Sequence, residues 1–362
     1  MILNLLSKIY GYFVDRRNNK YDNNKKDVIR CKIPVISIGN LSVGGSGKTP
    51  FTIYLANLLV KNGFRPGIIG RGYKRKSKGE IVVSAGLFSK DSSYYDKANI
   101  LVSPEIAGDE MYLIAKNTNC PVISSESKSQ AALSIEKMFD IDCILVDDGF
   151  QHRRLYRDLD IIMVDDQTLS YPDLIPKGRL REKFDNLKRA DILIVTAKEE
   201  INNKILKPFI DSSVTFRVIR QEAGSFFFND NNGFDESSIF DIVLLSSIAN
   251  PLNYRNNMVS KGKNVIKHFI YKDHYNYTKR DVGRIISYLK SKKLKYLFTT
   301  EKDSVKLLKF SEIFTANNIS LIVNKLGIDI YNAHKNDRSN DKGKITFENL
   351  VLTTLKENNE NN

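Results

Sequence analysis

The stretch "VISIGNLSVGGSGKTP" at residues 35–50 carries the residue types that bind a chain of phosphates. Glycines free the backbone so that N–H groups converge on phosphate oxygens, a lysine neutralises them, and the next hydroxyl can hold Mg²⁺. Lys48 and Thr49 occupy these last two positions. The loop before them consists of Ser42, Val43, Gly44, Gly45, Ser46 and Gly47. We therefore predict that residues 42–49 bind the phosphates of a nucleotide.

The loop departs from the usual pattern at its first position. The motif G-x-x-x-x-G-K-[ST] requires glycine where this chain has Ser42. A small residue is sterically tolerable there, but a glycine-rich turn that happens to contain a lysine is the alternative. The flanking elements favour the phosphate loop, because a buried strand is predicted at 33–39 and a helix from Phe51 to Gly63.

A pair of carboxylates supplies the second part of such a site. Four apolar residues in "CILVDDGF" predict a buried strand that ends at Asp147 and Asp148. A phosphate loop needs an acidic residue in this position to hold Mg²⁺ directly or through water. A surface turn that closes the strand is the alternative. With the loop, the pair indicates a site for ATP and Mg²⁺, and either aspartate could be the metal ligand.

Four further residues, in three stretches of the sequence, could act on a transferred phosphate. Asp109 in "AGDEM" could accept a proton from an attacking hydroxyl, although the same residue at a helix start is typical of a plain N-cap. His274 in "YKDHYNY" could assist a base, although a single histidine is usually structural. Arg179 and Arg181 in "PKGRLRE" could bind phosphate or remain ordinary surface arginines.

The composition limits the partners of the chain. Its 362 residues carry 56 basic and 42 acidic side chains, a formal charge of +14, so nucleic acid, an anionic membrane and a phosphorylated substrate are all admissible. Three scattered cysteines argue for a reducing compartment and against structural zinc or disulfides. The sequence holds no apolar run of 18 residues that could span a bilayer.

The N-terminal segment "MILNLLSKIYGYFV" predicts an amphipathic helix. Its apolar stripe consists of Ile2, Leu5, Leu6, Ile9 and Phe13, and the basic residues that follow it are Arg16, Arg17 and Lys20. This arrangement is typical of an interfacial helix with a cationic collar. A helix docked on the core of the protein itself explains the stripe equally well.

Strands that alternate with helices up to about residue 200 predict an α/β fold with a doubly wound, mainly parallel sheet. The segment "TFRVIRQEAGSFFF" predicts two connecting strands and a hinge. A second α/β block then begins at "FDIVLLSSIANP", and the C-terminal "TFENLVLTTLKEN" predicts an amphipathic helix.

Taken as a set, the motifs resemble one family. "GNLSVGGSGKTP", "RGY", "GDE", "VDDGFQHRRLYRDLDI", "PKGRLRE", "ADILIVT", "DHY" and "TTEKD" occur in the order seen in the tetraacyldisaccharide 4′-kinases, the lipid A 4′-kinases of Gram-negative bacteria. The resemblance covers about residues 30–310. It implies transfer of the γ-phosphate of ATP to the 4′-hydroxyl of a tetraacylated disaccharide 1-phosphate, which gives lipid IVA.

The resemblance also implies an architecture. We expect a P-loop NTPase-like α/β/α sandwich and a second, smaller α/β/α domain joined to it by a strand hinge. The expected segments are 1–30 for the membrane-contact helix and linker, 31–212 for the kinase domain with helix 346–357 packed on it, 213–230 for the hinge, and 231–345 for the second domain. The family implies peripheral attachment to the cytoplasmic face of the inner membrane, and we expect a monomer.

By motif, the resemblance assigns Lys48 and Thr49 to phosphate and Mg²⁺, and Asp147 and Asp148 to the metal region. It makes Asp109 the base and places His274 beside it when the two domains close. Arg181 would contact phosphate. Two departures weaken the match: the family's "PAGPLRE" is here "PKGRLRE", which puts the role of Arg179 in doubt, and the second histidine of "DHH" is here Tyr275.

Other functions make different predictions. An ATPase that binds nucleic acid would explain the charge and "RGYKRKSK", but no recognition helix or RNA-binding signature accompanies them, and we expect no nucleic-acid partner. A small-molecule kinase or ligase would have no use for the N-terminal stripe. A nucleotide switch without catalytic activity would not need Asp109 or His274.

Overall fold

The computed structural model of this chain describes residues 2–86, 100–196, 205–210, 214–228, 233–332 and 346–360. The chain forms two compact units. The first unit contains Met1–Arg220 together with Ile328–Asn362, and the second unit contains Gln221–Gly327. The domain boundaries expected at residues 212–213, 230–231 and 345 lie outside the described residues.

The described residues contain twelve strands and twelve α-helices. The strands are β1 (Val35–Asn40), β2 (Pro66–Gly70), β3 (Ile81–Ala85), β4 (Pro121–Ser124), β5 (Cys143–Asp147), β6 (Leu159–Val164), β7 (Ile192–Val195), β8 (Val214–Phe227), β9 (Asp241–Ser246), β10 (Asn264–Ile270), β11 (Tyr296–Thr300) and β12 (Ser320–Asn332). The helices are α1 (Ile2–Asp22), α2 (Lys48–Lys61), α3 (Pro104–Ala107), α4 (Asp109–Asn117), α5 (Lys128–Met138), α6 (Asp166–Ser170), α7 (Lys207–Ile210), α8 (Pro251–Ser260), α9 (Lys279–Ser291), α10 (Glu301–Leu307), α11 (Ser311–Ala316) and α12 (Phe347–Glu360).

The first unit is built on a largely parallel sheet. Its strands lie in the order β8-β7-β6-β1-β5-β2-β4-β3, and β3 runs antiparallel to β4 at the edge. Every residue of β1, β5 and β6 is buried. Near-continuous apolar strands of this kind occur where helices cover both faces of a parallel sheet. The predicted α/β fold with a doubly wound sheet is confirmed.

The glycine-rich loop leaves the sheet where the direction of winding changes. After β1 the chain continues through α2 to β2 on one side of the sheet, whereas β6 pairs with β1 on the other side. The register that pairs Ile38 with Asp147 brings the carboxyl end of β5 beside the end of β1. Ligands of open α/β sheets bind at such a switch point, so the topology places the loop and the aspartates together.

Helix α2 is fixed below the loop by an apolar face. Phe51, Leu55 and Leu59 are fully buried in the main core of the unit. The C-terminal helix α12 packs on the same core, since the ring of Phe347 lies 5.6 Å from the rings of both Phe51 and Phe216. These contacts fix the start of α2, which carries Lys48.

Helix α1 contacts the rest of the first unit through its small and polar side and leaves its apolar stripe exposed. Ser7 and Gly11 are among its buried residues, and the Ser7 hydroxyl donates to the carbonyl of Leu174 (2.9 Å). Ile2, Leu5 and Phe13 are 74%, 61% and 60% exposed. The helix is therefore docked, but not through the stripe that the sequence identified. None of the described helices is both long and apolar enough to cross a bilayer.

The second unit contains four strands that pair in parallel. Strands β9, β10, β11 and β12 lie in the order β10-β9-β11-β12, with parallel pairing. Helix α9 begins at a capping box in which Thr278 and Asp281 each bond the other's backbone N–H. Its buried face, which includes Val282, Ile285 and Leu289, packs against the strands.

The two connecting strands expected in "TFRVIRQEAGSFFF" form one strand instead. Strand β8 runs without interruption for 14 residues. The second long strand is β12, 13 residues that begin at the predicted strand "SLIVNK" and continue to Asn332. Alternation over 14 residues does not reveal whether a strand turns back. Gly224 lies near the end of β8 with a φ of 97°, which glycine adopts readily, and the strand continues through it.

Candidate active site

The glycine-rich loop has the backbone that a phosphate site requires. Gly44 and Gly47 have φ values of 110° and 90°, in the region that favours glycine. A Cβ atom at Gly44 would collide with Nη2 of Arg179, so a side chain at this position would require the guanidinium to move. Gly47 caps α2 with no side-chain hydrogen bond, and the N-terminal amides of that helix are therefore directed at the space above the loop.

Ser42 fits the loop without the conformation that would demand glycine. Its φ is not positive, and its side chain is buried. Its hydroxyl lies 2.8 Å from that of Thr168 and accepts from Nδ2 of Asn40 (3.2 Å), which also donates to Ser46 (2.9 Å). The serine at the first motif position is therefore part of the hydrogen bonding that shapes the loop.

Lys48 faces the paired aspartates across the loop. Its Nζ lies 3.4 Å from Oδ1 of Asp148 and 3.4 Å from the hydroxyl of Ser46. Thr49, the next residue, is half-buried in the first turn of α2. Pro50 then supplies a fixed φ and no N–H, which suits the first turn of a helix. Lysine, hydroxyl and helix amides are thus collected at one point.

The two aspartates have different surroundings. Asp147 is buried, and its Oδ1 accepts from the hydroxyl of Thr52 (3.1 Å). Burial, together with the charges of Glu110 and Asp148, raises the pKa of Asp147. Asp148 has a left-handed backbone with φ 55°. Burial opposes its charged form, but Lys48, Arg181 and Lys128 outweigh this and hold the pKa of Asp148 below its usual range.

Arg181 is brought to Asp148 by backbone pairing with the loop. The amide of Arg181 donates to the carbonyl of Leu41 (2.6 Å), and the amide of Val43 donates to the carbonyl of Arg179 (2.8 Å). Nη1 of Arg181 then donates to both carboxylate oxygens of Asp148 (3.0 and 2.8 Å). Sequence reasoning named Arg181 for its charge, and the structure places it beside the predicted metal region.

Arg179 has a definite position despite the departure from the family motif. Its Nε and Nη2 donate to the carbonyl of Val43 (3.1 and 2.8 Å), and its Nη1 donates to Oε1 of Gln167 (2.6 Å). The guanidinium therefore holds the backbone of the loop directly above Gly44. This contact stabilises the loop by a different route from the proline that the family usually has.

Two charged residues of the site do not follow from the sequence motifs. Lys128, at the start of α5, is buried, and its Nζ donates to the backbone carbonyls of Asp147 (2.7 Å) and Asp148. Burial lowers the pKa of Lys128 to about 8. Glu182 is fully buried between Arg17 and Arg189. Neither has a local spacing signal; only the position of Glu182 beside Arg181 could have drawn attention to it.

The motif "DDGFQHR" also contributes beyond its aspartates. Gln151 accepts from Nη1 of Arg181 (3.1 Å) and donates to the carbonyl of Asn40 (2.9 Å), so it links the arginine to the end of β1. His152 is largely buried, and burial together with the charge of Lys128 lowers its pKa to about 3. The imidazole of His152 is therefore neutral at physiological pH.

Asp109 is the first residue of α4 and is buried. The N-cap is Gly108, which has φ 85° and forms no side-chain cap, and Oδ1 of Asp109 accepts from the amide of Glu110 (3.0 Å). A Cβ atom at Gly108 would lie 2.7 Å from Cα of Gly72, so the two glycines allow α4 to start close to the segment that follows β2. Asp109 is thus near the carboxyl edge of the sheet.

His274 belongs to the second unit. It lies between β10 and α9, and its Nε2 is 3.0 Å from Nζ of Lys302. Tyr275, which stands where the family often has a second histidine, stacks on Tyr271 with ring centroids 4.6 Å apart and donates to Asp281 (3.1 Å). Tyr275 therefore packs toward the capping box of α9.

The donor set of the first unit suits Mg²⁺. Among the described residues no group of three or more His, Cys, Asp or Glu side chains is arranged to hold a metal ion. Mg²⁺ beside nucleotide phosphates usually takes one or two carboxylates, a hydroxyl and water. Thr49, Asp147 and Asp148 supply oxygen ligands of these types at the loop, and Asp148 is kept ionised by its cationic neighbours.

A parallel sheet, a glycine loop that leads into a helix, and paired carboxylates on the neighbouring strand define a P-loop protein that handles nucleotide phosphates. The family model of tetraacyldisaccharide-1-P 4′-kinase matches residues 1–338. The chain belongs to this family.

Relatives and a solved structure agree with this assignment. A tetraacyldisaccharide 4′-kinase of Halothermothrix orenii is 31% identical over 350 residues, which cover 91% of this chain and 88% of that protein. One from Aquifex aeolicus is 35% identical over 322 residues, with coverage of 86% and 91%. A crystal structure of LpxK from Aquifex aeolicus, an "apo" form in complex with ATP, has a TM-score of 0.74 and 29% identity, and covers 97% of both chains.

Proposed function

We propose that this chain is the kinase that transfers the γ-phosphate of ATP to the 4′-hydroxyl of tetraacyldisaccharide 1-phosphate, which yields lipid IVA in lipid A biosynthesis. The observation that carries the proposal is the arrangement of Lys48, Asp148 and Arg181 around the glycine loop. It occurs in a chain that matches this kinase family over residues 1–338. ATP and Mg²⁺ are the co-substrate and metal ion of the reaction.

The direct test is phosphate transfer. The purified protein is incubated with [γ-³²P]ATP, Mg²⁺ and detergent-dispersed disaccharide 1-phosphate, and the lipid fraction is examined for label. We expect a labelled lipid with the wild-type protein and none with Lys48→Met, which removes the ammonium but keeps an unbranched side chain of nearly the same length. Absence of labelled lipid, where a relative of established activity produces it, would exclude this function.

The first unit performs the nucleotide part of the reaction. The amides of the glycine loop and Lys48 bind the β- and γ-phosphates and neutralise charge that develops on them. Mg²⁺, when bound, supplies further positive charge at these phosphates, and Thr49, Asp147 and Asp148 would hold it. Arg181 stabilises the charge of the transferred group. Its ion pair with Asp148 (2.8 Å) supports this role, because the pair fixes the guanidinium at the loop before any substrate arrives.

Asp109 is the base in our proposal, and His274 is its partner. Asp109 is buried near the carboxyl edge of the sheet that also carries Asp147, which is where a nucleophile must approach the γ-phosphate. A carboxylate that accepts the proton of the 4′-hydroxyl needs a group that orients it, and an imidazole N–H can do so.

Substitution separates these roles from nucleotide binding. We expect Asp109→Ala and His274→Ala to lower kcat by roughly 10²-fold or more while the Kd for ATP stays within about twofold, because general-base catalysis typically contributes that much. A variant that retains wild-type turnover removes that residue from the mechanism without affecting the ATP site.

The acceptor is proposed to reach the enzyme from a membrane. The exposed apolar stripe of α1, flanked by the exposed basic residues Lys8, Arg16 and Lys20, suits the surface of an anionic bilayer. We propose peripheral attachment to the cytoplasmic face of the inner membrane of a Gram-negative bacterium. The reaction requires no second copy, so we expect a single chain of 41.3 kDa in detergent solution.

The contacts of α1 decide how this attachment should be tested. Deleting the helix would also remove Tyr10, whose hydroxyl donates to the carbonyl of Arg181 (3.0 Å) at the ATP site. The triple variant Leu5→Ser, Leu6→Ser and Phe13→Ser changes only exposed side chains. It should reduce binding to vesicles that contain phosphatidylglycerol without changing ATP affinity.

A matched control substitutes exposed apolar residues elsewhere. Phe240→Ser with Leu252→Ser alters side chains of the second unit that are 65% and 62% exposed. This control should bind vesicles as the wild type does. Equal vesicle binding by wild type and the α1 variant would refute membrane contact through this stripe, and equal losses in both variants would show a non-specific effect.

A further inference from the structure

His274 is held in one position by its own turn. Its backbone is left-handed, with φ 56°, and its amide lies 3.0 Å from Oδ1 of Asp273 and 3.3 Å from the carbonyl O of Ser247, at the end of β9. The side chain is only 13% exposed. The direction of the imidazole is therefore determined within the second unit.

Lys302 lies beside one of the two nitrogens of the His274 ring. Its Nζ lies 3.0 Å from Nε2 of His274 and 3.4 Å from Oδ1 of Asp273. An ammonium group can only donate hydrogen bonds, so Nε2 must be the acceptor. A neutral imidazole that accepts at Nε2 carries its hydrogen on Nδ1. The same Nζ also donates to Oδ1 of Asp273, which keeps the donor in place beside the ring.

The first turn of α10 holds Lys302 rigidly. Asp303, the next residue, is fully buried and accepts hydrogen bonds from the backbone and hydroxyl of Ser247 (3.0 and 2.6 Å), from Tyr277 (3.0 Å) and from Thr300 (2.8 Å). The same Ser247 accepts the amide of the histidine. Asp303 thus joins the turn that carries Lys302 to the loops on both sides of the imidazole.

We propose that Lys302 is a positioning residue for the reaction: it fixes His274 as the Nδ1–H tautomer, so that the proton on Nδ1 can be donated to a carboxylate. This inference rests on the proposed role of His274. It assigns to Lys302, in the motif "TTEKD", a role that the sequence motif alone does not reveal. Lys302 acts through the histidine and requires no contact with ATP.

The tautomer can be observed directly in the full-length protein. Ring nitrogens of ¹⁵N-histidine-labelled protein are distinguished by long-range ¹H–¹⁵N correlation, and His274→Ala identifies the signals of His274 among the four histidines. We expect a protonated Nδ1 and an unprotonated Nε2 in the wild type. Lys302→Met should convert a large part of His274 to the Nε2–H form, whereas Lys302→Arg, which retains a charged donor, should not. An unchanged tautomer in Lys302→Met overturns the proposal.

Kinetics provide the second readout. Lys302→Met should lower kcat roughly tenfold or more, because one hydrogen bond to a charged donor is lost, and should leave the KM for ATP unchanged. Lys302→Arg should recover most of the activity. Lys292→Met, which removes an exposed charge from the same unit, is the matched control and should behave as the wild type. Unchanged kcat in Lys302→Met overturns the role in the reaction.

The two proposals fail in different ways. If His274→Ala retains full turnover, the proposed role of His274 is wrong, and the NMR result alone then decides whether Lys302 sets the tautomer. If His274→Ala is inactive while Lys302→Met changes neither tautomer nor kcat, the histidine is catalytic and the inference about Lys302 is wrong. Thermal melts of each variant show whether the second unit remains folded.

Discussion

Glu182 offers a sharp test of how the N-terminal helix is joined to the active site. Its carboxylate is 0% exposed and accepts from Arg17 and Asn18 of α1, each at 3.0 Å, and from Arg189. The next residue toward the N-terminus is Arg181, which bonds Asp148. Glu182→Ala would leave Arg189, whose side chain is 14% exposed, without its charged partner.

The size of the effect follows from burial. Removing one partner of a buried ion pair costs roughly 3–5 kcal/mol, because the remaining charge stays desolvated. In a domain of this size about 1 kcal/mol corresponds to ~2–4 °C in Tm, so Glu182→Ala should lower Tm by roughly 6–20 °C. Glu182→Gln keeps the shape and part of the hydrogen bonding, and its loss should be smaller.

Thermal unfolding followed by circular dichroism measures this difference. The matched control is Asp173→Asn, which breaks an ion pair with Lys177 in the same segment. The side chains of Asp173 and Lys177 are 50% and 41% exposed. Exposed pairs contribute about 0–1 kcal/mol, so the control should melt within about 4 °C of the wild type. If Glu182→Ala melts no lower than Asp173→Asn, the buried network does not stabilise the docked helix.

Three further predictions concern the loop, the transferred group and pH. Gly44→Ala should weaken ATP binding roughly tenfold or more, measured by calorimetry, because the new Cβ strains the backbone and collides with Arg179. The control Gly63→Ala, at a position with φ 84° and open space around it, should leave ATP affinity unchanged. Equal ATP affinities of the two variants would contradict the loop geometry. Arg181→Lys keeps the positive charge but loses the planar guanidinium that bonds Asp148 and Gln151. It should lower kcat about tenfold at saturating ATP in steady-state assays, and an unchanged kcat would remove the arginine from the reaction. The pKa of His152 is about 3 in the fold, below the usual 6.5, so the folded state binds fewer protons and stability falls as pH decreases between these values. The free energy of unfolding, measured by urea titration at pH 6.5, 5.5 and 4.5, should therefore fall less steeply in His152→Gln than in the wild type, by about 1.4 kcal/mol per pH unit. If the free energy of unfolding falls equally steeply with pH in both proteins, the ring of His152 is not buried in its neutral form.

The parts of the site that follow from sequence are those encoded within a few residues. The loop from Ser42 to Thr49 and the aspartates at the end of β5 combine local composition with a strand or helix start, and the parallel register then places them together. The two segments could be placed together without knowing the strand order in detail, because the carboxyl ends of parallel strands share one edge of a sheet.

The parts that did not follow depend on contacts between distant segments. Lys128 reaches the carbonyls of residues 19 and 20 positions further along the chain. Glu182 meets Asn18 across 164 positions. The sequence predicted helix α1 but not the face through which it is docked: periodicity identifies the apolar side, which is exposed, whereas Ser7 and Gly11 contact the segment near Leu174 through small size and hydrogen bonding. Such contacts leave no spacing pattern in the sequence.

The position of the new phosphate on the lipid product shows whether the protein is a 4′-kinase. The product formed from ATP, Mg²⁺ and tetraacyldisaccharide 1-phosphate is purified and analysed by two-dimensional ¹H–³¹P correlation NMR. We expect one new phosphorus signal that correlates with H4′ of the distal glucosamine, in addition to the original 1-phosphate, and no such signal with Lys48→Met. A new phosphorus signal correlated with any other sugar proton, or ATP hydrolysis with no new phosphoester on the lipid, would contradict it.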